Sequence, residues 1–295
     1  MVLAKASVWR VPLWLLQGLL AVLALLSGVQ LLLGGASLSP EAAVLSDSLG
    51  LDGMLRFEGG AWAGLGLCLL LLLYRIERRG AGLRAAWTIV LLGGLCHCLA
   101  LARFGFEDPS LLVSAVMEVA APLVLGVWQA LLARRAVVQR SVGAARERGS
   151  LPLRVMIGLC GLLALWIGAR ALWAGTPLPE ALIGLPQSVD LRGALHFVAG
   201  LWLGLGVVLL ACVPRLSGRG EALRVACLVL FAAGLGRAIG IARYGVYSPH
   251  LPVIVALELA LPTALCAWQL LARPRGPHRA PETSIHQRAT VMLRP

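Results

Sequence analysis

The sequence predicts an all-α integral membrane protein whose eight transmembrane helices form two parallel four-helix repeats. Three observations support this fold class: an apolar composition, eight long apolar runs, and an internal duplication. The chain has 295 residues, of which 59% are hydrophobic and 14% are charged, and its mean hydropathy is +0.85. Soluble domains carry about 25% charged residues. The composition therefore excludes a soluble globular fold, and also a disordered or collagen-like chain.

Eight apolar runs are long enough to cross a bilayer, for which about 20 apolar residues are needed. The first run resembles a signal peptide in its position, but the duplication described below includes it. We therefore expect it to remain part of the fold. The predicted spans are Val11–Gly34, Met54–Leu73, Leu83–Arg103, Leu111–Leu132, Leu151–Trp173, Ala194–Val213, Leu223–Arg243 and Leu251–Leu271.

Every second connection between these spans contains arginine, and the others contain acidic residues with few basic ones. Because positively charged connections stay in the cytoplasm, this pattern predicts that both termini are cytoplasmic. The net charge of +12 is explained by this topology, so we expect no nucleic-acid partner. The arginine-containing connections are residues 75–79, 134–148 and 215–219, and the acidic residues in the others include Glu41, Asp47, Glu107 and Asp190.

The two halves of the chain are related by a shift of 140 positions. Residues 53–130 align with residues 193–270 without a gap, and about 30 of the 78 positions are identical. Each half contains an even number of spans, so the two repeats enter the membrane in the same direction. Glycines recur in the second and third helices of each repeat (Gly60, Gly64 and Gly94; Gly200, Gly204 and Gly234), where they permit close helix packing. The predicted domains are residues 1–140, a basic cytoplasmic linker at 141–150, residues 151–273, and a basic disordered cytoplasmic tail at 274–295.

A set of short motifs recurs in the same order in both repeats. The first repeat contains Arg56-Phe57-x-x-Gly60, Leu83-Arg84-Ala85, Gly93-Gly94-Leu95, Pro109, Glu118 and Pro122. The second contains Phe197, Gly200, Leu223-Arg224, Gly234, Arg237, Pro249, Glu258 and Pro262. This pattern resembles two tandem copies of the bacterial membrane family called domain of unknown function 4345. The chain differs from that pattern at His97 and His196, where arginine is usual. The resemblance implies a four-helix domain of the bacterial cytoplasmic (inner) membrane and supplies no reaction.

Ionisable residues inside the spans are the candidate functional residues, because each costs about 2.5 to 3.5 kcal/mol to insert. Each repeat carries one arginine, one histidine and one glutamate in the outer half of the membrane. Arginine and histidine exchange positions between the repeats, which predicts that these side chains touch. A proline four residues after each glutamate leaves the glutamate carbonyl without its helical partner. The candidate ligand-binding residues are Arg56, His97, Glu118, His196, Arg237 and Glu258.

The sequence provides no pattern for catalysis or for a metal or cofactor site. The seven cysteines lie in apolar runs without a CxxC pair, so neither a disulfide framework nor a zinc site is predicted. His97 and His196 occupy non-equivalent positions, which argues against haem. There is no nucleophile motif and no phosphate loop. We therefore predict no catalytic residues, no cofactor and no metal, although an enzyme is not excluded.

Four functions are compatible with these observations. The Arg, His and Glu clusters could be structural ion pairs that fix the register of the helices. They could instead bind or move a lipid-like amphipathic molecule, with membrane lipids as partners. An accessory subunit of a larger membrane complex would use its apolar helices to contact other membrane subunits. A membrane enzyme acting on a lipid-like substrate has the least support.

Overall fold

The computed structural model describes residues 10–38, 49–74, 80–106, 109–137, 151–173, 189–216, 218–246 and 248–271. These residues form eight long α-helices and two short 3₁₀ segments, with no strand among them. All eight helices are long and apolar enough to span a membrane, which confirms the predicted fold class. The predicted linker and tail lie outside the described residues. The helices are α1 (Arg10–Gly34), α2 (Leu49–Leu73), α3 (Gly80–Phe104), α4 (Pro109–Val137), α5 (Leu151–Trp173), α6 (Val189–Cys212), α7 (Gly220–Tyr244) and α8 (Leu251–Leu271).

Local chemistry sets several helix boundaries. α2 begins five residues before the predicted start at Met54, and Asp52 and Arg56, one turn apart in its first turns, form an ion pair of 2.6 Å that stabilises it. α3 and α7 each end before a glycine, Gly105 or Gly245, with φ of 87° and 86°. A residue with a side chain rarely adopts this conformation, so glycine ends both helices at the equivalent position.

The helices form a central group and a peripheral group. In α2, α3, α6 and α7, between 50% and 61% of the apolar span is buried, whereas in α1, α4, α5 and α8 the share is 17% to 28%. The peripheral helices expose leucine, valine and tryptophan side chains, including Trp14 and Trp173 near opposite ends of the bundle. An apolar outer surface of this kind is expected for helices that face lipid.

The central helices pack mainly across the two repeats. α2 packs on α7, and α3 packs on α6, far more extensively than α2 on α3 or α6 on α7. A Cβ atom added at Gly60 would lie 2.1 Å from the carbonyl oxygen of Ala232, and one added at Gly200 would lie 2.3 Å from that of Leu92. The glycines therefore permit close packing as predicted, and the helix they accommodate belongs to the other repeat.

Two aromatic stacks join the repeats at the centre of the bundle. Phe57 of α2 stacks on Trp202 of α6 with a centroid distance of 5.7 Å, and Trp62 of α2 stacks on Phe197 of α6 at 5.0 Å. The two pairs are equivalent under the 140-residue shift. The duplication thus produces a single shared core with internal pseudo-symmetry.

Candidate functional site

The glutamate helices, α4 and α8, are held close to α3 and α7 by a glycine in each repeat. A Cβ atom added at Gly94 would lie 2.6 Å from Cβ of Glu118, and one added at Gly234 would lie 2.8 Å from Cβ of Glu258. A larger residue at either glycine would push the glutamate away from the neighbouring helix. These glycines therefore set the position of the glutamates, which the sequence did not reveal.

The second repeat contains a buried ion pair between Arg237 of α7 and Glu258 of α8. Nη1 of Arg237 donates a hydrogen bond to Oε1 of Glu258, which confirms the predicted contact. The arginine and glutamate are 9% and 4% exposed. The guanidinium carbon lies 4.3 Å from the ring centroid of Phe57 in the first repeat. Oε2 of Glu258 is buried and has no hydrogen-bond partner among the described residues.

The first repeat contains the equivalent pair, His97 of α3 and Glu118 of α4. Nδ1 of His97 donates to Oε2 of Glu118 at 2.9 Å. The imidazole meets the ring of Phe197 edge-on, with a centroid distance of 6.3 Å. Its Nε2 atom is buried beside Gly193 of α6 and has no partner in the described part of the chain. Each repeat thus pairs its glutamate with a base on the preceding helix.

Arg56 does not join this pair, so its predicted contact with Glu118 or His97 is wrong. It is fully buried, and its Nε donates to Oδ2 of Asp52 at 2.6 Å. Its Nη1 donates to two carbonyl oxygens at the end of α1, at 2.5 and 3.0 Å. The last carbonyl oxygens of a helix need hydrogen-bond donors from outside the helix, and that of Leu33 also accepts a hydrogen bond from Nη1 of Arg243 at 2.9 Å. Arg56 therefore satisfies the end of α1 and is held away from α4.

The prediction that Arg237 approaches Glu258 or His196 is met by Glu258, and His196 bonds elsewhere. Its Nδ1 donates to the carbonyl oxygen of Arg192, one turn earlier on α6, at 2.8 Å. The ring of Phe104 packs against His196 with a centroid distance of 5.6 Å. The imidazole of His196 therefore bonds to a carbonyl of its own helix.

The cross-repeat packing explains the exchange of arginine and histidine. Arg237 stacks on Phe57, the residue that follows Arg56, and His97 meets Phe197, the residue that follows His196. Position 56 is therefore near position 237, and position 97 is near position 196. The exchange did report spatial proximity, but between repeats rather than within one.

A cavity of about 750 Å³ lies between the four helices of the second repeat. Side chains from α5, α6, α7 and α8 line it, together with Met54 of α2, and most of them are apolar. α5 and α8 contact each other only slightly where they border it. Its polar lining consists of Arg170, Arg237, Ser248 and Glu258. A mostly apolar cavity of this size with a few convergent polar groups is typical of a small-molecule site.

Sequence reasoning missed Arg170 and Glu58. Arg170 is the only charged residue in the last two turns of the fifth span, and it lines the cavity. Glu58 is not among the candidates that the sequence predicts, and its equivalent in the second repeat, Val198, lines the cavity. The carboxylate of Glu58 lies beside the indole of Trp62 and within electrostatic range of Glu118. The equivalence of Glu58 to a residue of the cavity lining becomes apparent only when the cavity is known.

Other polar residues lie outside this cavity lining. Gln129 and Gln269 are buried on α4 and α8, and Nε2 of Gln269 fits beside Gly220, where a Cβ atom would lie 2.1 Å from it. The seven cysteines are free. Among the described residues, no group of three or more His, Cys, Asp or Glu side chains is arranged to hold a metal ion.

The fold and the site define a multi-pass helical membrane protein with a tandem repeat, in which each repeat pairs a glutamate with a base on the preceding helix. The chain belongs to the family described as Domain of unknown function (DUF4345), whose profile matches residues 13–129 and again residues 152–269. No curated protein and no solved structure matches the chain. The family membership confirms the resemblance drawn from the motifs and leaves the activity to be argued from the site.

Proposed function

We propose that the second repeat binds a lipid-like amphipathic molecule in the cavity between α5, α6, α7 and α8. The observation that carries this proposal is the combination of an apolar cavity with a buried carboxylate oxygen, Oε2 of Glu258, that has no partner among the described residues. An unpaired carboxylate oxygen in a membrane interior is costly, since it loses the hydrogen bonds of water. A bound head group that donates a hydrogen bond would remove this cost.

The distribution of polar and apolar side chains favours an amphipathic ligand over a polar one. Arg237 and Glu258 each lie seven residues from the predicted outer end of their helices, or about 10 Å along the axis. Beyond them, Cys160, Leu205 and Leu209 extend an apolar lining toward the other side of the membrane. The head group would therefore occupy the outer half of the cavity, and the hydrocarbon tail would follow the helices inward.

A purely structural role fits the Asp52–Arg56 pair better than the Arg237–Glu258 pair. The guanidinium of Arg56 is surrounded by a carboxylate and the carbonyl oxygens at the end of α1. Arg237 and Glu258, by contrast, both line the cavity, and the glutamate keeps a free acceptor. A pair that served only to fix helix register would be expected to use all of its hydrogen-bonding capacity.

The proposal includes a location. The apolar helices define a multi-pass membrane protein, and the arginine-rich alternate connections favour the bacterial cytoplasmic membrane with both termini in the cytoplasm. Lipids of that membrane would then be the partners. They could reach the cavity from the bilayer between α5 and α8, where these two helices make few contacts.

The test is photolabelling of the purified protein with an alkyl phosphodiester that carries a diazirine in its chain. We expect the label on α5–α8 residues that line the cavity. Val198→Trp fills the cavity at a position that is 2% exposed, and should reduce labelling about tenfold or more. Leu162→Trp is the matched control, because Leu162 faces outward on α5 at 56% exposure. Equal labelling of the two variants, or labelling confined to outward faces, would refute the proposal.

A further inference from the structure

The charged groups of the cavity lining do not balance. Arg170 and Arg237 contribute two positive charges, and Glu258 contributes one negative charge, so the lining carries a net charge of +1. The Arg237–Glu258 pair neutralises itself through a direct hydrogen bond. The excess positive charge therefore belongs to Arg170.

Arg170 has the geometry of a residue at the mouth of the cavity. It lies three residues from the end of α5, whereas Arg237 lies seven residues from the end of α7. At 1.5 Å per residue, Arg170 is about 6 Å nearer to the outer end. Its guanidinium carbon packs 5.5 Å from the ring centroid of Trp166. It forms no ion pair with a carboxylate in the described ranges.

Arg170, which is exposed near the outer end of α5, and the buried Oε2 atom of Glu258 are chemically complementary to one kind of head group. Arg170 offers hydrogen-bond donors and a positive charge near the mouth, and Oε2 of Glu258 offers an acceptor deeper in the cavity. A single anionic group would pair with the first. A hydroxyl or ammonium group a few ångströms further along would donate to the second.

On this basis, and resting on the proposed function above, we infer that the ligand is an amphiphile whose head combines one anionic phosphate-like group with a hydrogen-bond donor that reaches Glu258. Arg170 recognises the negative charge of the head group, and Glu258 accepts a hydrogen bond from its donor. A choline-type head provides an anionic group but no N–H or O–H donor, so it would leave Glu258 unsatisfied. A cationic head without an anionic group would be repelled by Arg170.

The experiment uses four alkyl phosphodiesters that share one dodecyl chain and differ in the second ester: glycerol, methyl, ethanolamine or choline. Each competes with the photoreactive probe for the intact purified protein. The glycerol and methyl esters have the same charge and differ in their donor. The glycerol and ethanolamine esters distinguish a hydroxyl from an ammonium donor. We expect the glycerol or the ethanolamine ester to compete at least about tenfold better than the methyl or choline ester, respectively.

Two variants separate the roles of the two residues. Glu258→Gln should remove most of the preference for the donor-bearing ester over its donor-free counterpart, because the amide carries no charge. Arg170→Gln should weaken every ester by a similar factor of about five to ten and leave that preference intact. Arg103→Gln, which removes a charge from an exposed residue outside the cavity lining, should change neither. If Glu258→Gln yields little folded protein, the ester order and Arg170→Gln remain decisive.

The outcomes distinguish this inference from the proposed function. If the four esters compete equally while Val198→Trp still abolishes labelling, the cavity binds amphiphiles and the head-group inference is wrong. The same holds if the donor-free esters are preferred, or if Arg170→Gln has no more effect than Arg103→Gln. If Val198→Trp labels like Leu162→Trp, the proposed function itself is wrong.

Discussion

Arg56 and Arg237 are both buried arginines, but the groups around them differ in what they leave unsatisfied. Arg56 lies between Asp52 and the end of α1, and its side chain is 0% exposed. Arg237 stacks on Phe57 and binds one oxygen of Glu258, whose second oxygen is unpartnered among the described residues. The first arrangement stabilises a helix end, and the second leaves an acceptor for another molecule.

The first prediction concerns the Arg237–Glu258 pair. Glu258→Leu leaves a buried arginine without its carboxylate and should destabilise the protein by about 3–5 kcal/mol. Arg237→Met combined with Glu258→Leu removes both charges and should be markedly less harmful, because no buried charge remains unpaired. The thermal unfolding midpoint in detergent measures both effects. A double variant as unstable as Glu258→Leu would argue against the pairing.

The second prediction concerns Arg56. Arg56→Met removes the donor that Arg56 supplies to the carbonyl oxygen of Leu32 and to the carboxylate of Asp52, at a cost of about 3 kcal/mol or more. The carbonyl oxygen of Leu33 keeps a hydrogen bond from Nη1 of Arg243. We expect faster hydrogen exchange in the last turn of α1, measured by mass spectrometry.

Photolabelling per folded molecule of Arg56→Met should equal that of the wild type, because Arg56 does not line the cavity. Unchanged exchange at the end of α1 would contradict the capping role. A loss of photolabelling per folded molecule would instead indicate that Arg56 contributes to the ligand site.

At the scale of the helix, a glycine on one element fixes a carboxylate on the next. Gly94 and Gly234 lie against the backbone and Cβ of Glu118 and Glu258, and the prolines that follow, Pro122 and Pro262, lie within α4 and α8. The carbonyl oxygen of Glu118 would be 3.0 Å from a Cβ atom at Gly94, so the glycine also accommodates the carbonyl that proline leaves free.

The third prediction tests this helix contact. Gly234→Ala places a methyl group 2.8 Å from Cβ of Glu258 and should destabilise the protein by about 1–3 kcal/mol through overpacking. Gly126→Ala on α4 is the matched control, because an added Cβ there meets no atom within 4 Å. That control should be neutral or slightly stabilising, since alanine favours helix over glycine. Equal unfolding midpoints for the two variants would count against the contact.

At the scale of the whole molecule, the repeats share a core rather than forming two separate bundles. Gly60 and Gly64 of α2 face α7, and Gly200 and Gly204 of α6 face α3. The cavity, in contrast, is bordered by the four helices of one repeat and a single side chain of the other. The duplication therefore supplies stability through contacts between repeats and leaves a cavity within one repeat.

The fourth prediction follows from this shared core. Residues 1–145 and 146–295 produced as two chains in the same cell should co-purify through a tag on either one, because each exposes small-residue faces that the other covers. Gly60→Leu together with Gly200→Leu should abolish the co-purification, whereas Gly126→Leu should not. A first half that purifies alone as a stable monomer would contradict the shared core.

The fifth prediction concerns orientation. Ser37, at the end of α1, and Gly218, before α7, are exposed at opposite ends of the bundle. In intact cells, Ser37→Cys should react with a membrane-impermeant thiol reagent, and Gly218→Cys should react only after lysis, because the arginine-containing connections stay in the cytoplasm. The wild type, with seven native cysteines, provides the background. The reverse labelling would invert the predicted topology.

The sequence by itself determined the helices, the repeat and one of the charged pairs, Arg237 with Glu258. Eight runs of sufficient length and apolarity can form little other than spanning helices, because the membrane requires every backbone group to be bonded within the helix. The contact of Glu258 with Arg237 was also predictable, since a charge in a span needs a partner.

Only the tertiary structure decided which helices meet and where the cavity lies. The exchange of arginine and histidine showed that positions 56, 97, 196 and 237 are related, but it could not show whether the proximity lies within a repeat or between repeats. Helix–helix contacts in a membrane depend on the three-dimensional fit of small residues, and each glycine face could accept several partners. Arg170 and the Oε2 atom of Glu258 can be recognised as parts of one candidate site only in the tertiary structure, because the packing of the helices leaves a cavity that both residues line.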